Sequence, residues 1–201
     1  MKKAKTHLSR DPVMLGMIES ISLPTRKWER EVFTALLRSI VYQQLSGKAA
    51  GTIYGRLLDL FAGRKPDPKK LSRMSESKLR SVGLSKQKTG YVKNLAKHWI
   101  QNDLAGTNWS KVSDEDFVDE VTQIKGVGVW TAQMVLMFTL KRPDVLPLND
   151  LAICKAIKHA YRLRSKGKRF EERMVEIAEP WRPYRTLACL YLWASLADDS
   201  K

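Results

Sequence analysis

The chain has 201 residues, enough for one compact domain or two small subdomains sharing a cleft. A hydrophobic fraction of 43% beside 28% charged residues excludes an intrinsically disordered chain. Lys and Arg number 36 against 21 acids, and the net charge of +15 favours a polyanionic partner, either nucleic acid or an anionic membrane surface.

The N-terminal stretch MKKAKTHLSRDP is basic but lacks the apolar core of a signal peptide. The longest apolar run, Leu187 to Ala197, is shorter than the ~20 residues that span a bilayer. These features lead to the expectation of a cytosolic or nucleoid protein with no membrane partner. Two cysteines, Cys154 and Cys189, are too few to ligate an iron–sulfur cluster. No CxxC pair occurs and His7, His98 and His159 are scattered, which argues against zinc.

Helical spacing dominates and period-2 alternation is missing. From Arg26 to Gln44, Trp28, Val32, Leu36 and Ile40 fall on one face with Phe33, Leu37 and Val41. Ser46 is placed to cap a helix to about Ala62, which stops at Gly63. Short helices are expected over Pro68–Met74 and Glu76–Val82, the second capped by Ser75 and ended by Gly83, and Ser85 opens a helix to about Asn102. Ser113 with Asp116 resembles a capping box before Phe117, Val118, Val121 and Ile124. That helix stops at Lys125-Gly126-Val127-Gly128, and the next runs to about Leu140. Asn149-Asp150 precedes a helix from Leu151 to about Arg162, followed by helices over Phe170–Glu179 and Pro183–Ala197. The class is all-α, with roughly ten helices in two small helical subdomains flanking a cleft.

Ile124-Lys125-Gly126-Val127-Gly128-Val129-Trp130-Thr131-Ala132 is the strongest local motif. Glycine permits backbone angles closed to other residues and leaves amide N–H groups uncovered. Those groups open a helix, where donors lack partners and the macrodipole is positive, so a phosphate oxygen fits there. A plain αα-turn that happens to use glycine is the competing reading. The apolar residues Ile124 and Val127, with Trp130, Met134 and Phe138 behind them, favour DNA-backbone binding through Lys125, Gly126, Val127 and Gly128.

This motif, followed by Leu146-Pro147-Leu148-Asn149-Asp150-Leu151, resembles the helix-hairpin-helix/Gly-Pro-Asp superfamily, and within it the DNA-3-methyladenine glycosylase II branch. Ile40-Val41-Tyr42-Gln43-Gln44-Leu45-Ser46-Gly47-Lys48-Ala49-Ala50 and Trp181-Arg182-Pro183-Tyr184-Arg185, with Tyr191 and Trp193, are similar to further segments of that branch. The resemblance covers about residues 30 to 197 and implies a basic N-terminal segment over 1–25 and a glycosylase domain of two interleaved helical subdomains over 26–201. Lys125 stands where the superfamily often has Pro, and Met134 where one member has an aromatic. No N-terminal β-domain of the larger bacterial members fits in this length.

By this resemblance Asp150 is the catalytic carboxylate, although Asp before a helix is also an ordinary N-cap. Breaking an N-glycosidic bond builds positive charge on the sugar, which a carboxylate stabilises while orienting water. Bifunctional members carry a lysine nucleophile where Trp130 stands here, so water is expected as nucleophile and an abasic site as product. The base must be flipped into a pocket. Trp130, Trp181, Met134, Tyr42 and Tyr184 are its candidates, with Tyr191 as a possible addition, while Trp99 and Trp193 are assigned to core packing. The loop Gln43-Gln44-Leu45-Ser46 matches the wedge region, with Gln44 aligning best; a helix C-terminus followed by a Ser cap is the equal alternative. The resemblance also implies that carbonyls of Thr122, Ile124 and Val127 can hold a structural Na or K ion, with no other cofactor required.

The expected partner is double-stranded DNA containing damaged bases, bound by a monomer. Competing readings are a non-catalytic DNA-binding module, a glycosylase for hypoxanthine, ethenoadenine or oxidised bases, and a basic membrane-surface protein.

Overall fold

The computed structural model describes residues 1–24 and 29–198. The expected helical position Trp28 therefore lies outside the described residues. Twelve α-helices and four short 3-10 turns occur among them, with no strand. The chain divides into two compact units, one from residues 28–140 and the other from 1–27 with 141–201.

The first unit holds α3 (Val32–Tyr42), α4 (Gly47–Leu58), α5 (Pro68–Arg73), α6 (Glu76–Ser81), α7 (Lys86–Gln101), α8 (Asp114–Thr122) and α9 (Val129–Phe138). Side-chain caps start most of them. Ser46, Asp67, Ser75, Ser85 and Ser113 each accept the backbone N–H three residues on. Such a cap contributes about 1 kcal/mol and fixes where the chain turns. At α8 the expected capping box is altered: the Asp116 carboxylate accepts the Ser113 hydroxyl at 2.7 Å.

The longest of these helices, α7, packs against α3, α5 and α6, while α3 also meets α4 and α9. Leu36, Leu37, Ile40 and Val41 of α3 are fully buried, as are Val92, Leu95 and Ala96 of α7. Each buried Leu or Ile contributes roughly 1.5–3 kcal/mol. Trp99 joins Phe33 at 5.3 Å and Trp109 at 5.7 Å, and Trp109 stands edge-on to Phe117 at 5.4 Å. Trp99 is thus a core residue, as its apolar setting predicts.

The second unit holds α1 (Lys2–Leu8), α2 (Pro12–Ser20), α10 (Leu151–Ala160), α11 (Gly167–Ala178) and α12 (Arg185–Asp198). Neither α1 nor α2 was expected from the basic character of the N-terminus. Asp11 caps α2, its Oδ1 accepting from Val13 and Met14 N–H, and Pro12 takes the first helical position. The same carboxylate's Oδ2 accepts the Tyr161 hydroxyl at 2.6 Å and Trp181 Nε1 at 3.0 Å. One side chain thereby joins the start of α2 to the end of α10 and to the turn before α12. Helix α12 packs against α2 and α10.

Candidate active site

The hairpin between α8 and α9 is tight. Ile124 N–H bonds Val121 O at 3.2 Å, and Val127 N–H bonds Ile124 O at 2.9 Å. Ile124 and Val127 point inward and anchor the turn, being 1% and 5% exposed. Gly126 has φ +104°, and a Cβ there would lie 2.4 Å from Tyr91 Cγ, so both conformation and space demand glycine. Gly128 differs. Its φ is −104° and a Cβ would meet nothing within 4 Å. What its small size does is leave the start of α9 open: Gly128 is the N-cap and no side chain caps this helix. The start of α9 therefore has the positive end of its helix dipole uncovered by any side chain of its N-cap residue, with Lys125 exposed beside it.

The loop that follows α3 lies in the same unit. Gln43 Nε2 donates to Gly126 O at 2.9 Å, which ties the loop to the hairpin. Lys88 Nζ donates to Val41 O at 2.7 Å and Gln43 O at 2.6 Å. Gln44 and Leu45 are exposed, with Gln44 in the left-handed region at φ +55°. Ser46 is the cap of α4. The loop is thus both an exposed projection and a helix-to-helix connection.

Trp130 and Met134 are one turn apart on α9; Trp130 is 45% exposed and Met134 half-buried. Tyr42, half-buried at the end of α3, has the Arg38 guanidinium 4.1 Å over its ring and Tyr54 edge-on at 6.1 Å.

In the other unit, Asp150 is the N-cap of α10 and 7% exposed. Its Oδ1 accepts from Ile153 N–H at 2.8 Å and from Trp193 Nε1 at 3.0 Å. Asp150 is thus an N-cap in the structure, and a capping carboxylate keeps the negative charge that catalysis needs. The apolar setting of Trp193 predicts core packing, but its indole N–H reaches the carboxylate, a contact spanning 43 residues for which no local sequence signal exists. The loop before Asp150 is locked to α12. Arg185 Nε and Nη2 reach the Asp144 carboxylate at 2.7 and 3.0 Å, Thr186 N–H bonds Pro143 O, and Thr186 Oγ1 accepts from Val145 N–H.

Two expectations for the pocket need correction. Trp181 is 1% exposed, with its ring against Tyr161 and its N–H on Asp11, so it has no open face and serves the core. Tyr191 is fully buried as well. Aromatic residue type does not reveal which side of a helix faces inward. Tyr184 is half-buried and stands edge-on to His7 at 5.4 Å.

Comparison with known proteins accounts for this arrangement. The family model for HhH-GPD superfamily base excision DNA repair proteins matches residues 37–183. The chain is 32% identical to DNA-3-methyladenine glycosylase 1 of Schizosaccharomyces pombe, over all of this chain and 91% of that protein. It is similar in structure to the S. pombe 3-methyladenine DNA glycosylase solved with abasic DNA, with TM-score 0.78 and 31% identity over 95% of both chains. It is also similar to a DNA-3-methyladenine glycosidase of Bacillus halodurans, with TM-score 0.79 and 36% identity over 94% of this chain and 86% of that one. With its hairpin and the helix-capping Asp150 inside the matched span, the chain belongs to the HhH-GPD superfamily of base excision DNA repair proteins.

Proposed function

We propose that this chain is a monofunctional DNA glycosylase that hydrolyses the N-glycosidic bond of alkylated purines, of the 3-methyladenine and 7-methylguanine type, in double-stranded DNA. The observation that carries this reading is Asp150, a buried carboxylate held at a helix N-terminus by Ile153 N–H and Trp193 Nε1. As the base departs, positive charge develops on the sugar. A fixed carboxylate beside the sugar stabilises that charge more than it stabilises the ground state, in which the sugar is uncharged, and this is the condition for catalysis. It also orients the attacking water. Trp130 stands where bifunctional relatives carry lysine, so the product is an abasic site on an intact strand.

The hairpin amides position the phosphate backbone without reading sequence. The exposed loop Gln43–Ser46 fills the gap left by the extruded base, led by Gln44. Trp130, 45% exposed, serves as a pocket wall, and electron-rich rings attract cationic adducts. Thr122, Ile124 and Val127 would supply backbone carbonyls to a Na or K ion; neutral oxygens at the C-terminal, negative end of α8 suit such a cation. Such a cation would add positive charge at the hairpin, where a phosphate is bound. The enzyme works where DNA is, in the nucleoid of a bacterium or the nucleus of a eukaryote. Among the described residues no helix is long and apolar enough to cross a membrane.

The test is single-turnover excision in matched duplexes, with borohydride present in a parallel reaction. Free 7-methylguanine leaves faster than hypoxanthine, and no covalent enzyme–DNA adduct is trapped. Faster release of the neutral base contradicts the cation-selective pocket, and a trapped adduct contradicts the water mechanism.

A further inference from the structure

We propose that Lys88 is a positioning residue for base extrusion, its ammonium holding the loop Gln43–Ser46 in the shape needed to enter the duplex. The inference rests on the reading of that loop as the wedge.

Helix α3 ends at Tyr42, and its last carbonyls have no partner within the helix. Lys88, in the first turn of α7, supplies one. Its Nζ lies 2.7 Å from Val41 O and 2.6 Å from Gln43 O, bracketing the point where the chain leaves the helix. A cation there also meets the negative end of the α3 macrodipole. Both partners are neutral carbonyls, both bonds are partly buried, and burial lowers the lysine from its ordinary basicity.

The next residue, Gln44, has φ +55°, a region that costs a side-chain-bearing residue free energy and persists only where neighbours enforce it. Three contacts do so: Lys88 on Gln43 O, the Gln43 side chain on Gly126 O, and Leu45 N–H on Tyr42 O at 3.4 Å. The same face of α7 supports the hairpin one turn later. The Tyr91 ring closes on Gly126, and its hydroxyl accepts from Gln87 at 2.7 Å. The first turns of α7 thus form a strut with Lys88 under the wedge loop and Tyr91 under the phosphate-binding turn. Force applied by the backbone contact is transmitted to Gln44 and Leu45 only while the loop is rigid.

The experiment compares 7-methylguanine paired with cytosine against 7-methylguanine opposite an abasic analogue, where extrusion is already cheap. Lys88→Met keeps the aliphatic stem and removes the donor. Single-turnover excision from the paired site falls about tenfold, as for loss of a charge-assisted bond, while excision opposite the abasic analogue stays within about twofold. Fluorescence of a 2-aminopurine beside the lesion shows the flipping step slowed in parallel. Equal loss on both substrates assigns Lys88 a merely structural role and overturns the proposal, as does wild-type behaviour on both. Lys88→Gln is read the same way should the Met variant fail to fold. Gln44→Ala and Leu45→Ala run alongside. If they impair flipping and Lys88→Met does not, the Lys88 proposal alone fails; if none does, the wedge reading fails with it.

Discussion

Trp193 Nε1 and Asp150 Oδ1 lie 3.0 Å apart, and Ile153 N–H reaches the same oxygen at 2.8 Å. One carboxylate oxygen therefore has two donors, one from its own helix and one from α12. This fixes the carboxylate plane from two elements, and a reacting group must be held to about half an ångström to be productive. Trp193→Phe keeps an aromatic ring and removes the N–H. Its single-turnover excision rate falls about tenfold, or ~1.4 kcal/mol, with affinity for undamaged duplex unchanged. A rate within about twofold of wild type would show that the indole only packs.

The two hairpin glycines separate folding from binding. Gly126→Ala forces a Cβ into the Tyr91 ring at positive φ, so thermal unfolding shows a loss of roughly 1–3 kcal/mol. Gly128→Ala has open space and an ordinary φ, and stays within about 1 kcal/mol of wild type. Its methyl sits at the uncapped start of α9, and it weakens binding to damaged and undamaged duplexes alike. Log affinity falls with log salt at about 0.9 per phosphate neutralised, a slope Gly128→Ala keeps because the lost contact is an amide. Wild-type affinity in Gly128→Ala would remove the hairpin from the interface.

Asp144 holds the loop leading to Asp150 against α12. Burial raises its carboxyl, but the hydrogen bonds and charge of Arg185, with Arg182 beyond, outweigh this and leave it below the ordinary carboxylate value. The unfolded chain therefore takes up this proton first. The stabilisation is complete above about pH 4 and is lost as pH falls through the folded-state value. The Asp144 side chain is 22% exposed, which tempers the effect, and Asp144→Asn costs about 1–3 kcal/mol at pH 7. Urea unfolding at pH 7 and pH 3 checks this: the difference from wild type shrinks at the lower pH, and a constant difference contradicts the assignment.

Burial, and after it the Asp150 charge, pushes both Cys154 and Cys189 thiols above their ordinary value. Less thiolate is present at pH 8, so native protein reacts with a disulfide reagent at least about tenfold more slowly than free cysteine. Asp150→Asn removes the electrostatic part and speeds Cys154. Rapid labelling of both thiols in the native wild type would contradict the burial and charge described.

Local signals made much of this molecule legible. Ser46, Ser75, Ser85 and Ser113 mark helix starts because a short hydroxyl side chain three residues ahead of an amide has few other uses. The Gly126–Gly128 turn is readable because glycine carries backbone information, although only Gly126 proved to need its φ. The pair Asp11-Pro12 is the signal that identifies α2, and the basic composition around it obscured it. Trp181 and Trp193 show the limit. Both are tryptophans in apolar helical surroundings, and which one faces Asp11 and which Asp150 is decided by packing between helices distant in sequence. The Lys88 bonds across 45 and 47 residues leave no local trace for the same reason.

In the proposed reaction the Asp150 carboxylate does the chemistry. The direct measurement is chromatographic release of free base from alkylated duplex DNA by wild type and Asp150→Asn, with melting temperature and duplex affinity measured on the same preparations. The amide preserves shape and can still accept the Ile153 and Trp193 donors while removing the negative charge. Base release by Asp150→Asn falls by at least about a hundredfold, the loss of several kcal/mol of transition-state stabilisation, with fold and binding retained. Near-normal release by a folded, DNA-binding Asp150→Asn protein would contradict the account.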